Sequence, residues 1–238
     1  MMLKGYYNHK FISKRLLSSV AKFDGEISSI YNSIAENHRH VNGPWHLMLK
    51  KLQDKYANTN ISIVDIASGP GEPARTIANA MPYATVFSTD VSVDMHKLSS
   101  IHSITVNNMK SMVMDAQDLS PFKSESIDAI TCCYGYMFPD DKIKCLSEAY
   151  RILKPKGILI SAHWVNLDAM HICKKILKAI YTSQPNQLPL QQSPINPMAL
   201  SEPGLFNSIC IAAGYFFLFF LSFTLLLLLL LRISRKQH

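Results

Sequence analysis

The sequence predicts an α/β domain, doubly wound about a mostly parallel sheet. Three observations predict it. A short apolar run, Ile61-Ser-Ile-Val-Asp-Ile66, is closed by the glycine turn Gly69-Pro-Gly71. Strand-like runs then alternate with helix-like ones, and parallel neighbours in a sheet need such crossovers. Finally, Asp65, Asp90 and Asp115 fall at the ends of three successive predicted strands.

In order, residues 61–66 read as a strand and residues 73–80 as a helix stopped before Pro82. Residues 84–89 are rich in β-formers and end at Asp90, and residues 105–114 lead to Asp115. Residues 127–133 alternate little and read as a strand buried on both faces. A helix over residues 141–153 carries Ile143, Leu146, Ala149, Tyr150 and Leu153 on one face and is ended by Pro155 and Gly157, with a buried strand at 158–162. Residues 170–181 predict a basic helix, and 182–203 a Pro-, Gln-, Asn- and Ser-rich connector.

A chain of 238 residues holds one full domain with appendages. At 48% hydrophobic and 17% charged it is neither disordered nor fibrous. The net charge of +7 is confined to the ends. Residues 1–24 carry Lys4, Lys10, Lys14, Arg15 and Lys22 against Asp24, and the C-terminus carries Arg232, Arg235 and Lys236. The body between them is balanced, which excludes the basic face that a nucleic-acid binder needs. Cys132, Cys133, Cys145, Cys173 and Cys210 are odd in number and lack a CxxC pair, so reduced, buried thiols are expected. His38, His40 and His46 fit no metal-ligand spacing, and no metal is expected.

Chemistry concentrates at the first turn, Val64-Asp-Ile-Ala-Ser-Gly-Pro-Gly71-Glu-Pro-Ala74. Gly69 and Gly71 lack side chains where a ligand must approach the backbone, Pro73 suits a first helical turn, and ligands of parallel sheets bind at strand carboxyl ends. The turn also satisfies GxGxxA with an acid, Asp90, about 20 residues on, which is the pattern of a nicotinamide dinucleotide site. Asp65 favours S-adenosylmethionine instead: an anion there suits an ammonium group and sits badly beside a pyrophosphate. Asp115 adds a polar group where an adenine could be held.

With these residues the chain resembles a class I S-adenosylmethionine-dependent methyltransferase, nearest to the methyltransferase type 11 group and the C-methyltransferases of ubiquinone and menaquinone biosynthesis. The matching segments are Val64 to Gly71, Ser88-Thr-Asp-Val-Ser92, Asp94-Met95, Met114-Asp-Ala-Gln-Asp-Leu119, Ser126-Ile-Asp-Ala-Ile130 and Glu148-Ala-Tyr-Arg-Ile-Leu-Lys-Pro-Lys-Gly157. The resemblance implies a Rossmann-like fold and S-adenosylmethionine as cofactor. It implies that Asp65, Ala67, Gly69 and Gly71 surround the methionine half, that Asp90 holds the ribose, and that Val91 packs on adenine. Asp115 and Ala116 would meet the adenine edge, and Cys133 would lie beneath the cofactor. The segment before the first strand, with Tyr31 and Val41-Asn-Gly-Pro-Trp-His46, would be a lid. Ala67 and Lys156 stand where relatives often carry glycine.

Residues 209–231 hold no charge and end in seven leucines, a length that spans a bilayer as a helix. The sequence therefore predicts a basic N-terminal segment and helical lid over 1–56, a cofactor-binding domain over 57–204 lacking its last two strands, and a hydrophobic transmembrane helix within 205–238. Partners are then a small-molecule methyl acceptor and a membrane, without nucleic acid. The expected location is membrane-associated with a cytosolic domain, while residues 1–23 resemble a mitochondrial transit peptide. Methyl transfer is an in-line displacement governed by alignment, and Tyr134, Tyr136 and His163, just past two strands, are the candidates to face a small, lipophilic acceptor. The alternative is a catalytically impaired remnant or isoform serving as a membrane-tethered binding protein.

Overall fold

In the computed structural model the described residues are Gly25, Ser28, Tyr31, 43–164, 199–202, 204–215 and the backbone of 217–221 and 225–231. Helix α1 (Pro44–Tyr56) opens with proline in its first turn, where no intrahelical donor is needed, and buries Trp45, Met48, Leu49 and Leu52 along one stripe. Then come β1 (Ile61–Ile66), α2 (Ala74–Ala80), β2 (Ala84–Asp90), α3 (Val93–Thr105), β3 (Met109–Val113), β4 (Ile127–Cys133), α4 (Lys142–Ile152), β5 (Leu153–Trp164), α5 (Leu205–Ala212), β6 (Phe217–Leu221) and β7 (Leu225–Leu231).

The seven strands form one sheet in the order β3-β2-β1-β4-β5-β7-β6. Strands β1 to β5 are parallel, and β7 runs antiparallel to both β5 and β6. The chain order reverses between β1 and β4, which opens a crevice at the carboxyl ends of the strands there. The core lies on both faces of β1 and β4, where Ile63, Val64, Ala129 and Ile130 are fully buried. Helix α4 adds Cys145, Leu146, Ala149 and Ile152 from one face, of which Leu146 and Ile152 each contribute roughly 1.5–3 kcal/mol by leaving water. Asp141 caps α4 by accepting from the Lys144 amide, and Ser92 caps α3 by accepting from the Met95 amide.

The C-terminal expectation is overturned. No hydrophobic helix spans 209–231: α5 ends at Ala212, Gly214 turns the chain at φ +100°, and β6 and β7 follow. Leu225–Leu231 pairs residue by residue with Ile158 to Trp164 on one side and with Phe217–Leu221 on the other. The sheet accordingly keeps its last two strands. An uninterrupted apolar run is compatible with a fully enclosed strand as well as with a helix, and the open edge of β5 selects the strand. Among the described residues no helix is long and apolar enough to cross a membrane. The basic stretch 1–24, His38, His40, Cys173, the helix proposed at 170–181 and the connector up to residue 198 lie outside the described residues. Cys132, Cys133, Cys145 and Cys210 are free and buried.

Candidate cofactor site

The site grows from the end of β1. Asp65 is wholly buried. Its Oδ1 accepts from Thr131 Oγ1 at 2.6 Å, and its Oδ2 accepts from the Ala74 amide at the start of α2 at 3.2 Å. Both donors are neutral, and among the described residues no lysine, arginine or histidine bonds to the carboxylate. Burial pushes Asp65 up to about 7, against the pull of the nearby Ser68 hydroxyl, of Thr131 and of the Ala74 amide.

The following turn is lashed to β2. The Ser68 amide donates to the Thr89 carbonyl at 2.9 Å, and Thr89 Oγ1 donates to the Asp65 carbonyl at 2.9 Å. Asp90 holds the same turn from the side, accepting from the Gly69 amide at 2.8 Å and from the Ser92 amide at 2.9 Å. Gly71, at φ +100°, has no room for a side chain, since a Cβ would stand 2.9 Å from Ser99 Oγ. Ala67 also sits at positive φ, +53°, where a glycine would be unstrained. The ring of Tyr31 lies beside Gly69, and its phenol is pushed up by burial and then by the neighbouring acidic groups of Cys133, Asp90 and Asp65.

Across the crevice, Cys133 ends β4. Burial raises its thiol well above the ordinary range, and the Trp45 indole N–H reaches its sulfur from α1. Val91, Asp115 and Ala116 are half-buried beside the end of β2 and beyond β3, with Asp115 Oδ1 accepting from the Gln117 amide at 2.8 Å. Strand β3 ends at Val113, so Asp115 belongs to the loop after it. Asp65, Ala67, Gly69, Gly71, Asp90 and Cys133 are thus brought to one rim of the sheet. His46 is exposed on α1, and among the described residues no three His, Cys, Asp or Glu side chains are grouped to hold a metal.

The three residues expected near an acceptor separate. Tyr134, at φ +59°, stacks on Trp164 with ring centroids 4.3 Å apart and planes 8° from parallel. It shares its surroundings with Cys133 and Tyr31. Tyr136 and His163 instead pack on Phe206 of α5, at 6.0 and 4.7 Å. Both are 2% exposed, and among the described residues Tyr136 Oη and His163 Nδ1 have no hydrogen-bond partner. Burial lowers His163 to about 4, so it is neutral at physiological pH. Two contributors were not singled out from the sequence. Thr131 bears no signal beyond being a polar residue in a buried strand. Gly135, whose Cβ would stand 2.6 Å from both Ala67 Cβ and Cys132 Sγ, is visible in retrospect as a glycine two residues past a strand.

The arrangement fits the expected cofactor. A buried carboxylate held only by neutral donors has an unmet demand for a cation, and the rim beside it is built of backbone that approaches closely. Residues 64–161 match the family described as Methyltransferase domain. Over this stretch the chain is similar to the class I S-adenosylmethionine-dependent methyltransferases. It is 29% identical over 187 residues to the ubiquinone/menaquinone biosynthesis C-methyltransferase of Rickettsia prowazekii, covering 74% of this chain and 72% of that one. It is 30% identical over 151 residues to the protein of the same description in Rickettsia felis, covering 58% of this chain and 60% of that relative. In fold it is similar to a methyltransferase from Aquifex aeolicus, at TM-score 0.63 and 14% identity, over 89% of this chain and all (100%) of that one. It also matches phosphoethanolamine N-methyltransferase 2 of Haemonchus contortus in complex with S-adenosylmethionine, at TM-score 0.58 and 19% identity over 83% and 43% of the two chains. As a methyltransferase, the chain takes S-adenosylmethionine as its cofactor, whose sulfonium carries the methyl group to be displaced.

Proposed function

We propose that this methyltransferase acts on a ring carbon of a planar, lipophilic acceptor of the quinone-precursor kind. The observation that carries the acceptor reading is the Tyr134–Trp164 stack at the ends of β4 and β5, a flat apolar wall on the side of the sheet that also carries Cys133 and Tyr31. Such a wall suits an aromatic ring, which gains from offset stacking as well as from burial. The C-methyltransferase relatives support the same class of acceptor.

On this reading Asp65 meets the cofactor's ammonium, and Ala67, Gly69 and Gly71 line its methionine half. Asp90 holds the ribose through its carboxylate, Val91 and Ala116 flank adenine, and Asp115 meets the adenine edge. Cys133, neutral because buried, offers a small apolar floor. The chain's own contribution is to align acceptor and methyl group in a dry pocket. Tyr134 is the catalytic candidate on the cofactor's side; Tyr136 and His163 back Phe206 beneath the acceptor region. The completed sheet removes the missing strands that motivated an impaired remnant. The basic, acid-poor residues 1–23 support a mitochondrial location, which an import assay with that segment deleted would test.

The deciding experiment incubates the chain with methyl-labelled S-adenosylmethionine and a demethylated prenylphenol or prenylquinol in detergent micelles. Label on a ring carbon of the prenylated product is expected. A sample that binds cofactor yet leaves these acceptors unmethylated would overturn the acceptor reading.

A further inference from the structure

Asp65 is placed on one side of β1 by the alternation of the strand, and Thr131, its direct register partner on the neighbouring β4, projects from the same side. Both side chains are fully buried, and the 2.6 Å bond between them is short, as expected when a hydroxyl donates to an ionised carboxylate. Thr131 has one hydroxyl hydrogen and spends it on Oδ1, while the Ala74 amide takes Oδ2. Together they fix the plane of the carboxylate.

The other titratable groups facing Asp65 do not help it to ionise. They are Glu72 from the turn, Cys132 and Cys133 from β4, and the phenol of Tyr31. None is a cation. Glu72 is itself engaged with Arg75 Nε at 2.6 Å and with the Thr76 amide at 3.1 Å. Ionisation of Asp65 before the cofactor arrives therefore rests on its hydrogen-bond donors, and Thr131 supplies the shorter bond from a side chain.

We propose that Thr131 is a positioning residue of the cofactor site, whose hydroxyl orients the Asp65 carboxylate and keeps it ready for the cofactor's ammonium group. The proposal rests on the reading that Asp65 meets that ammonium. Losing one hydrogen bond to a charged group moves an acid upward by about one pH unit. Since Asp65 already sits near 7, Thr131→Val then binds S-adenosylmethionine about tenfold more weakly than wild type at pH 6, and the gap closes to within about twofold by pH 9. The cofactor's own amine titrates identically with both proteins, so the ratio of affinities isolates the protein group.

The test is calorimetric titration of wild type, Thr131→Val, Thr131→Ala and Thr131→Ser with S-adenosylmethionine between pH 6 and 9. A parallel titration uses 5′-methylthioadenosine, which keeps the nucleoside and lacks the ammonium. The expected result is a pH-dependent deficit in the Val and Ala variants, a wild-type profile with Ser, and no deficit toward 5′-methylthioadenosine. The alanine variant cannot overfill the site, so it carries the comparison should valine fail to fold. A deficit equal at every pH, or equal toward both ligands, makes Thr131 merely structural and overturns the proposal alone. Equal pH profiles for both ligands with wild-type protein overturn the Asp65 reading and the proposal with it.

Discussion

Asp90 accepts the Gly69 amide at 2.8 Å, tying the glycine turn after β1 to the end of β2. One carboxylate therefore shapes the turn and, on the proposed reading, holds the ribose. Asp90→Ala removes both jobs, along with the bond to the Ser92 amide. Charged hydrogen bonds of this kind contribute roughly 1.5–3 kcal/mol each, so affinity for S-adenosylhomocysteine should fall by ten- to a hundredfold or more. Asp90→Asn retains one acceptor and should fall between. Calorimetry reads both, and an Ala variant with wild-type affinity would remove Asp90 from the site.

Asp65 sets stability against binding. Its pKa in the folded protein is about 7, above the usual carboxylate value of 3.8, because burial disfavours the charge. The folded state thus holds a proton that the unfolded state releases between about pH 4 and 7, so this group's contribution to stability falls as pH rises through that window and is flat above it. Three pH units correspond to about 4 kcal/mol. Asp65→Asn can satisfy both neighbours, since the Thr131 hydroxyl can turn to accept the new amide. It should match wild type near pH 4, melt at a higher temperature near pH 8, and bind S-adenosylmethionine poorly there. Denaturant melts across pH, subtracted variant from wild type, display the slope; parallel curves would contradict the burial argument.

Two positions where the family resemblance leads one to expect glycine both prove to have left-handed backbone, which favours glycine. Ala67 is at φ +53° and Lys156 at φ +66°. Left-handed backbone costs an L-residue about 1–2 kcal/mol, partly offset by glycine's greater freedom when unfolded. Lys156→Gly, at an exposed site, should raise stability by about 0.5–1 kcal/mol, and Ala67→Gly should do so without lowering cofactor affinity. Chemical denaturation decides, with a loss of stability in both variants as the contrary outcome.

Much of this was legible before any coordinates. The glycines and aspartates at strand ends are read from spacing because backbone approach and strand-end charge each demand a residue type. Thr131 was not legible, since threonine is an ordinary strand residue and only the pairing of β4 with β1 brings it to Asp65. Tyr136 and His163 were legible as residues past strand ends. Which side of the sheet they occupy depends on α5, whose Phe206 they pack against. The leucine run misled for a different reason: its composition fixes that it leaves water, while the choice between helix and strand is made by the unpaired edge of β5.

Gly135 packs where β1 and β4 hand the chain to their loops, and it leaves no space. A methyl group there would meet Ala67 Cβ and Cys132 Sγ at 2.6 Å, closer than real carbon and sulfur atoms approach. Gly135→Ala should cost about 1–3 kcal/mol through overpacking and displace the turn that carries Ala67, so cofactor affinity falls with stability. The double variant Ala67→Gly/Gly135→Ala relieves one of the two clashes and should recover part of both losses. Strict additivity in a double-mutant cycle would show that the two sites do not communicate.

The C-terminal strands supply the sharpest structural test, because β7 is enclosed on both sides and holds β6 to the sheet. Every residue of Leu225–Leu231 faces a partner in β5, and five face β6. Proline at Leu228 removes an amide from the middle of that ladder and fixes φ within it. Leu228→Pro should therefore cost about 3 kcal/mol or more, and a chain ending at residue 216 should expose the edge of β5 and aggregate. Removal of a membrane-spanning helix outside the sheet would instead leave the domain's melting unchanged. Unchanged melting of the 1–216 chain, with cofactor binding intact, would show that β6 and β7 are dispensable to the fold.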